Sequence, residues 1–229
     1  MRTMTWFLAL LLGLLLHSPL SAQGRQLDKV EDAIEILEQL TRIPEDGIPE
    51  KLLQSAEGIA VIPDVVKAGL VFGGRYGKGL LSIRKEDGTW SHPVFITLAG
   101  GSVGFQAGVQ STDVILVFKT RRSIEGIVKG KFTLGADAAV AAGPVGRNAQ
   151  AATDAQLKAE IYSYSRARGL FAGLSIDGSA LQIDYDAIEA VYGQGITPRR
   201  VFRGKVPATP GIINAFRDTL EELTATTGN

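Results

Sequence analysis

The sequence predicts an α+β fold: a glycine-rich, mainly antiparallel sheet or partial barrel, flanked by N- and C-terminal helices. Three observations carry this prediction. Apolar residues recur at helical spacing near both ends of the chain. The middle holds short apolar, β-branched runs separated by few residues, which pair as antiparallel neighbours because a parallel pair needs a crossover. The chain also has 27 glycines in 229 residues, without the every-third-residue period of a triple helix.

The elements follow in order. Arg2, an apolar run from Trp6 to Leu16 and the small residues Ser21-Ala22 read as a secretory signal peptide over residues 1–22. The run falls short of the about 20 residues that span a bilayer. An exported chain, periplasmic or secreted and peripheral on a membrane, is therefore expected, with a single domain over 23–229. Leu27, Val30, Ile34, Leu37 and Leu40 stripe one helix, whose other face carries Asp28, Glu31, Asp32, Glu35 and Glu38. A short helix is expected from Pro49 to about Ala56. Strands are read at Ile59–Ile62, Gly69–Phe72, Leu80–Ile83 and Val114–Phe118, with turns at Tyr76–Gly79 and Glu86–Thr89. A helix near Arg122–Lys129 precedes further strands at Lys131–Ala142, Ala159–Ser165, Leu170–Ile176 and Ser179–Ile183. Ile212, Ile213, Phe216, Leu220 and Leu223 mark a closing helix.

Composition excludes several chemistries. There is no cysteine, which removes disulfides, thiolate metal sites and cysteine nucleophiles. Histidine occurs twice, as His17 and His92, so no cofactor or zinc centre is expected. With 24 basic and 24 acidic residues the chain lacks the positive excess of a nucleic-acid binder, and its aromatics are not interleaved with bases. Gly77-Lys78-Gly79 fails the phosphate-loop pattern on both sides, and no catalytic triad can be assembled around His92. Asp113, Asp137, Glu160 and Asp177 stand in apolar surroundings and leave a carboxylate-based hydrolase as the weakest alternative, with Asp137 expected beside a base such as Arg147. The chain is otherwise read as non-enzymatic.

A resemblance then becomes specific. Ile48–Leu53, Ala56–Val61, Val66–Leu70, Asp87–Ser91, Gly104–Gly108, Phe132–Gly135, Ala141–Arg147, Ile161–Ser165 and Gly169–Ser179 follow one another in the order and spacing of the SYLF family of lipid-binding domains. The resemblance implies a non-catalytic module that binds phospholipid of the phosphoinositide type, since eukaryotic members bind such membranes and yeast members bind actin. Its partners are then an anionic phospholipid surface or, as the alternative, a protein that it scaffolds. In the family, membrane binding draws on an amphipathic N-terminal helix. Here that helix is acidic on its polar face, which anionic lipid repels, so it is expected to pack on the sheet instead.

Cations beside glycine-rich turns are the expected headgroup contacts, because glycine lets backbone N–H groups approach a phosphate while a base supplies charge. These are Arg75 and Lys78 in the Gly73–Gly79 segment, Arg147 after Gly146, and Arg166 and Arg168 before Gly169. Arg199, Arg200, Arg203 and Lys205 form the densest basic cluster, suited to lying against a membrane.

Overall fold

A computed structural model of the chain describes residues 19–42, 47–69, 72–103, 108–145, 158–167, 169–207 and 209–225. Helix α1 runs Pro19–Arg42 and α2 Glu50–Gln54, followed by strands β1 Gly58–Gly69, β2 Phe72–Ile83, β3 Val94–Val103 and β4 Gly108–Phe118. Helix α3 is Arg121–Lys129. Then come β5 Phe132–Thr133, β6 Val140–Ala142, β7 Ile161–Ala167, β8 Leu170–Gly173, β9 Ala180–Ile183, α4 Tyr185–Tyr192, α5 Pro198–Phe202 and α6 Gly211–Thr224. The expected cleavage after Ala22 falls in the first turn of α1, and the apolar run before it lies outside the described residues. Among the described residues no helix is long and apolar enough to cross a membrane.

The sheet runs β5-β9-β3-β2-β1-β4-β7-β6, with β8 paired to β7. Every pairing is antiparallel except β6 with β7. Its two outermost strands are nearly consecutive in the chain, since seven residue steps lead from Thr133 to Val140. Seven steps reach at most about 25 Å, whereas eight flat strands would set their edges about 34 Å apart. The sheet therefore curls, and its two edges meet at the turn between β5 and β6, where Leu134 bridges Ala138 and Gly135 N donates to Ala138 O at 3.0 Å.

Helices cover the sheet on both sides. On the outer face Phe95 meets Tyr192 of α4 with ring centroids 6.4 Å apart, and α1 packs on α6, α4, β1 and β2. Val30, Ala33, Ile36, Leu37 and Leu40 of α1 are buried, so the acidic helix is a packing element, as its charge pattern implied. The inner face is plugged by α3, whose Ile124 sits against the bare Cα of Gly58. Trp90 is buried and donates its indole N–H to Thr224 Oγ1 at the end of α6.

Three sequence expectations are corrected. Tyr76–Gly79 is not a turn but the middle of β2, paired with Leu98, Thr97 and their neighbours on β3. Gly77 and Gly79 are required because β1 presses against β2 there: a Cβ on Gly79 would stand 2.6 Å from the Ile62 Cα, and one on Gly77 2.8 Å from a Val65 methyl. Of the strand expected over Gly69–Phe72, Gly69 closes β1, where it pairs with Gly73, and Phe72 opens β2; Leu70 and Val71 lie outside the described residues. Lys131–Ala142 splits into β5 and β6 around a turn in which Gly135 has φ +87° and the Asp137 carboxylate accepts the Thr133 N–H. Asp137 is thus an exposed turn residue rather than a buried partner of a base.

The close approach of β1 to β2 coincides with a bulge. Pairing slips between Ile62 and Val65, and Asp64 takes φ +49°, alone among the described non-glycine residues in being left-handed. Its N–H donates to Asp113 Oδ1 at 3.1 Å, and its carboxylate accepts from Ser111 Oγ at 3.2 Å.

Candidate functional site

Arg75 and Lys78, expected to act together, point to opposite faces because side chains alternate along a strand. Lys78 faces outward, and its ammonium donates to Asp184 Oδ2 at 2.6 Å. Asp184 is the N-cap of α4, where its other oxygen accepts the Ala187 N–H at 3.1 Å. The bond to Asp184 holds the Lys78 pKa above its ordinary value of 10.5. Arg75 faces inward and donates to Ser175 O at 3.2 Å, while burial pulls its pKa down against the opposing charge of Asp177. Arg166 is largely buried and pairs with Asp113 Oδ2 at 3.3 Å, on the carboxylate that also holds the bulge. Arg147 and Arg168 lie outside the described residues. The structure therefore brings none of Arg75, Lys78 and Arg166 to one another.

The four candidate carboxylates are equally dispersed. Glu160 accepts from Thr120 and Ser123 at the start of α3, Asp177 accepts from Ser175 Oγ, and Asp113 and Asp137 make the bonds given above. His92 is half-buried, with its Nε2 3.1 Å from Asn214 Oδ1 on α6. Among the described residues no group of three or more His, Asp or Glu is arranged to hold a metal.

A cationic cleft does form elsewhere. It has a volume of about 860 Å³ and lies between the β2–β3 connection, α3 and α5. Ile83, Ile124, Val128 and Phe202 supply apolar lining, while Arg84, Lys85, Arg121, Lys129, Arg199 and Arg203 outnumber Glu86, Asp87 and Glu125.

Most of these cations are already engaged. Arg84 donates to Ala56 O, Leu53 O and Gln54 O, capping the carbonyl end of α2, and stacks over Trp90 at 4.8 Å. Burial lowers its pKa, against the pull of Glu57 and Glu221. Arg121 pairs with Glu57 at 2.8 Å, Lys85 with Asp87 at 3.3 Å and Lys129 with Glu125 at 3.9 Å.

Arg199 and Arg203 differ. They are exposed, four residues apart on α5 and the turn that ends it, and neither makes a side-chain hydrogen bond or ion pair to the described residues. Local sequence explains their placement: Thr197 caps α5 by accepting the Arg200 N–H, Pro198 occupies its first turn, and Val201 and Phe202 are buried, which turns the arginines outward.

The sequence flagged Arg199 and Arg203 only as a basic cluster. It gave no hint of Arg84, Arg121 and Lys129 as their neighbours, because those residues reach the cleft from separate elements.

Over residues 99–223 the chain matches the family described as Ysc84, Las17-binding protein actin regulator. The chain belongs to this family. It is 37% identical over 173 residues to LAS seventeen-binding protein 3 of Saccharomyces cerevisiae, covering 74% of this chain and 38% of that protein. It is also similar to the SH3 domain-containing YSC84-like protein 1 of rat, at 33% over 205 residues (84% of this chain, 60% of that one), and of human, at 34% over 185 residues (78% and 54%). This Ysc84-family chain thus spans between 38% and 60% of the length of these relatives. The SYLF resemblance read from the glycine-rich segments is this same relationship. Residues 99–223 include α3, α5 and all but the last residue of α6, and with them four of the six cleft cations.

Proposed function

We propose that this Ysc84-family chain is a non-catalytic module that docks reversibly on anionic phospholipid surfaces through the cleft between α3 and α5. One observation carries the reading: Arg199 and Arg203 are exposed cations lining a cleft whose other bases are engaged, and among the described residues neither arginine side chain has a partner. An apolar lining with a cationic rim suits a phospholipid, whose phosphate meets the guanidinium groups while its glycerol and first methylenes meet Phe202, Ile124 and Val128. The apolar run Trp6–Leu16 and the small residues Ser21-Ala22 support export, which would set the membrane at the cell envelope, periplasmic or outer.

Co-sedimentation with phosphatidylcholine vesicles, with and without phosphatidylglycerol, tests this reading. Binding is expected to require the anionic lipid and to weaken with salt. Each cation near an anionic surface contributes about 1 kcal/mol, so Arg199→Gln with Arg203→Gln should cost roughly 30-fold in affinity. The melting temperature should not change, because neither side chain has a partner to lose among the described residues. Full binding by the double variant would end the reading. Edman sequencing of the exported chain, with Gln23 expected first, checks the leader.

A second reading, a protein-interaction module, is supported by the names of the relatives and by an exposed apolar strip on the outer sheet face, where Val66 (42% exposed), Tyr76 (51%) and Val109 (74%) stand. Its occupant in this reading is an actin filament. Filament co-sedimentation that survives Arg199→Gln/Arg203→Gln and is lost with Tyr76→Ser/Val109→Ser would favour it.

A further inference from the structure

We infer that the inner face of the sheet carries a second, independent site, an oxyanion site of the phosphate class built on Lys67 and Arg75. The two residues are direct cross-strand partners on β1 and β2, so their side chains project from the same face side by side. Like charges directly opposite one another destabilise a sheet unless an anion lies between them. The carboxylate acting on Arg75 is that of Asp177, which is exposed and held by Ser175 Oγ at 3.1 Å. Lys67 has no ion pair or side-chain hydrogen bond to the described residues. Among the described residues, one positive charge of this cluster is left uncompensated.

A second observation points to the same ligand. The Arg75 Nε–H is buried and has no partner among the described residues, although the same guanidinium donates to Ser175 O. The hydroxyl of Ser179, a residue that is 0% exposed, likewise has no partner among the described residues. The two belong to one row of the sheet. Gly100 is the cross-strand partner of Arg75 on β3, and a Cβ on Gly100 would stand 2.5 Å from Ser179 Oγ. The missing side chain at position 100 is what lets the Ser179 segment settle beside Arg75. Three groups able to donate, the Lys67 ammonium, the Arg75 Nε–H and the Ser179 hydroxyl, therefore gather on one face with a single carboxylate nearby. A tetrahedral oxyanion offers several acceptor oxygens and the missing negative charge. A carboxamide or a sugar hydroxyl supplies only the first.

The test uses the full chain in chloride and in inorganic phosphate at equal ionic strength, alongside vesicles of phosphatidylcholine with and without phosphatidic acid. At phosphate about a hundredfold above its Kd, mass action on a domain of this size should raise Tm by about 5–10 °C, and the Arg75 Nε–H resonance should shift. Lys67→Gln should melt higher than the parent in chloride, because the facing cation is gone, and should lose the phosphate response. Ser179→Ala should weaken the response. A response to inorganic phosphate identifies a free oxyanion as sufficient. One confined to phosphatidic acid vesicles, and lost in Lys67→Gln, identifies a lipid headgroup as the source. No response to either probe, or an undiminished response in Lys67→Gln, overturns the inference and leaves ordered water as the partner of Arg75 and Ser179. Arg199→Gln/Arg203→Gln should keep the phosphate response, so this site and the cleft stand or fall separately.

Discussion

Gly79→Ala tests the reason that β2 is rich in glycine. The added methyl would fall on the carbonyl oxygen of Val61 and 2.6 Å from the Ile62 Cα, well inside the about 3.5–4.0 Å at which carbon atoms rest. Both obstacles are backbone at the approach to the Asp64 bulge, so no side-chain rotation relieves them. Overpacking costs about 1–3 kcal/mol and this site belongs at the upper end. Stiffening the unfolded chain returns about 0.4–1 kcal/mol. The net loss is therefore about 2 kcal/mol, or about 4–8 °C in Tm for a domain of this size. Gly74→Ala is the control on the same strand, because its nearest neighbour would be Gly100 O at 3.9 Å. It should be neutral or stabilising by up to about 1 kcal/mol. Urea denaturation monitored by the fluorescence of buried Trp90 reads both variants, with the m-value unchanged if only the native state is strained. Agreement of the two midpoints within about 0.5 kcal/mol, a typical surface-substitution effect, would refute the close approach of β1 as the cause.

Asp184→Asn keeps an acceptor for the α4 cap and loses the Lys78 charge pair, for about 1 kcal/mol in urea titration, whereas Asp184→Ala loses both and should cost about 2–3 kcal/mol. Arg166→Met strands Asp113 beside the bulge and should cost about 2–3 kcal/mol by the same titration, while Asp113→Asn/Arg166→Met should recover part of it. On the alkaline side, burial pushes the Tyr164 and Tyr192 phenols well above their ordinary value of 10, and Asp184 holds Lys78 above 10.5. The unfolded chain gives up these protons first, so stability should fall as pH rises past 10, and phenolate absorbance from these two tyrosines should appear only on unfolding. On the acid side, burial depresses the His92 pKa, outweighing its bond to Asn214, with Arg217 and Lys85 adding to the depression. The unfolded state then takes the proton first, so stability should decline as pH falls below 6.5. That decline should vanish from urea titrations of His92→Gln.

Regular spacing was enough to place α1 and α6, because an apolar residue every third or fourth position leaves a helix one face to bury, whatever covers it. The runs Ile59–Ile62, Leu80–Ile83 and Val114–Phe118 likewise announced strands buried on both sides. The SYLF relationship was legible in the order of its glycine-rich segments. Helices α4 and α5 were missed although each carries a local start signal: Asp184 caps α4, and Thr197-Pro198 opens α5.

Glycine misled the reading of β2 because a sequence records the missing Cβ and not what occupies its place. A turn and a tightly pressed strand make the same demand, and only the position of Val61 and Ile62 decides between them at Gly79. Charge behaved in the same way. Lys78 and Arg75 look like one cluster in the sequence, yet strand alternation sends one to Asp184 and the other beside Lys67. The cleft draws its cations from the β2–β3 connection, α3 and α5, segments far apart in the chain; the first two meet because pairing of Gly58 with both Ile83 and Phe118 sets the ends of β2, β1 and β4 side by side. Local pattern fixes which elements form and which of their faces are apolar. Which charges become neighbours is a property of long-range contacts, and those exist only in the folded chain.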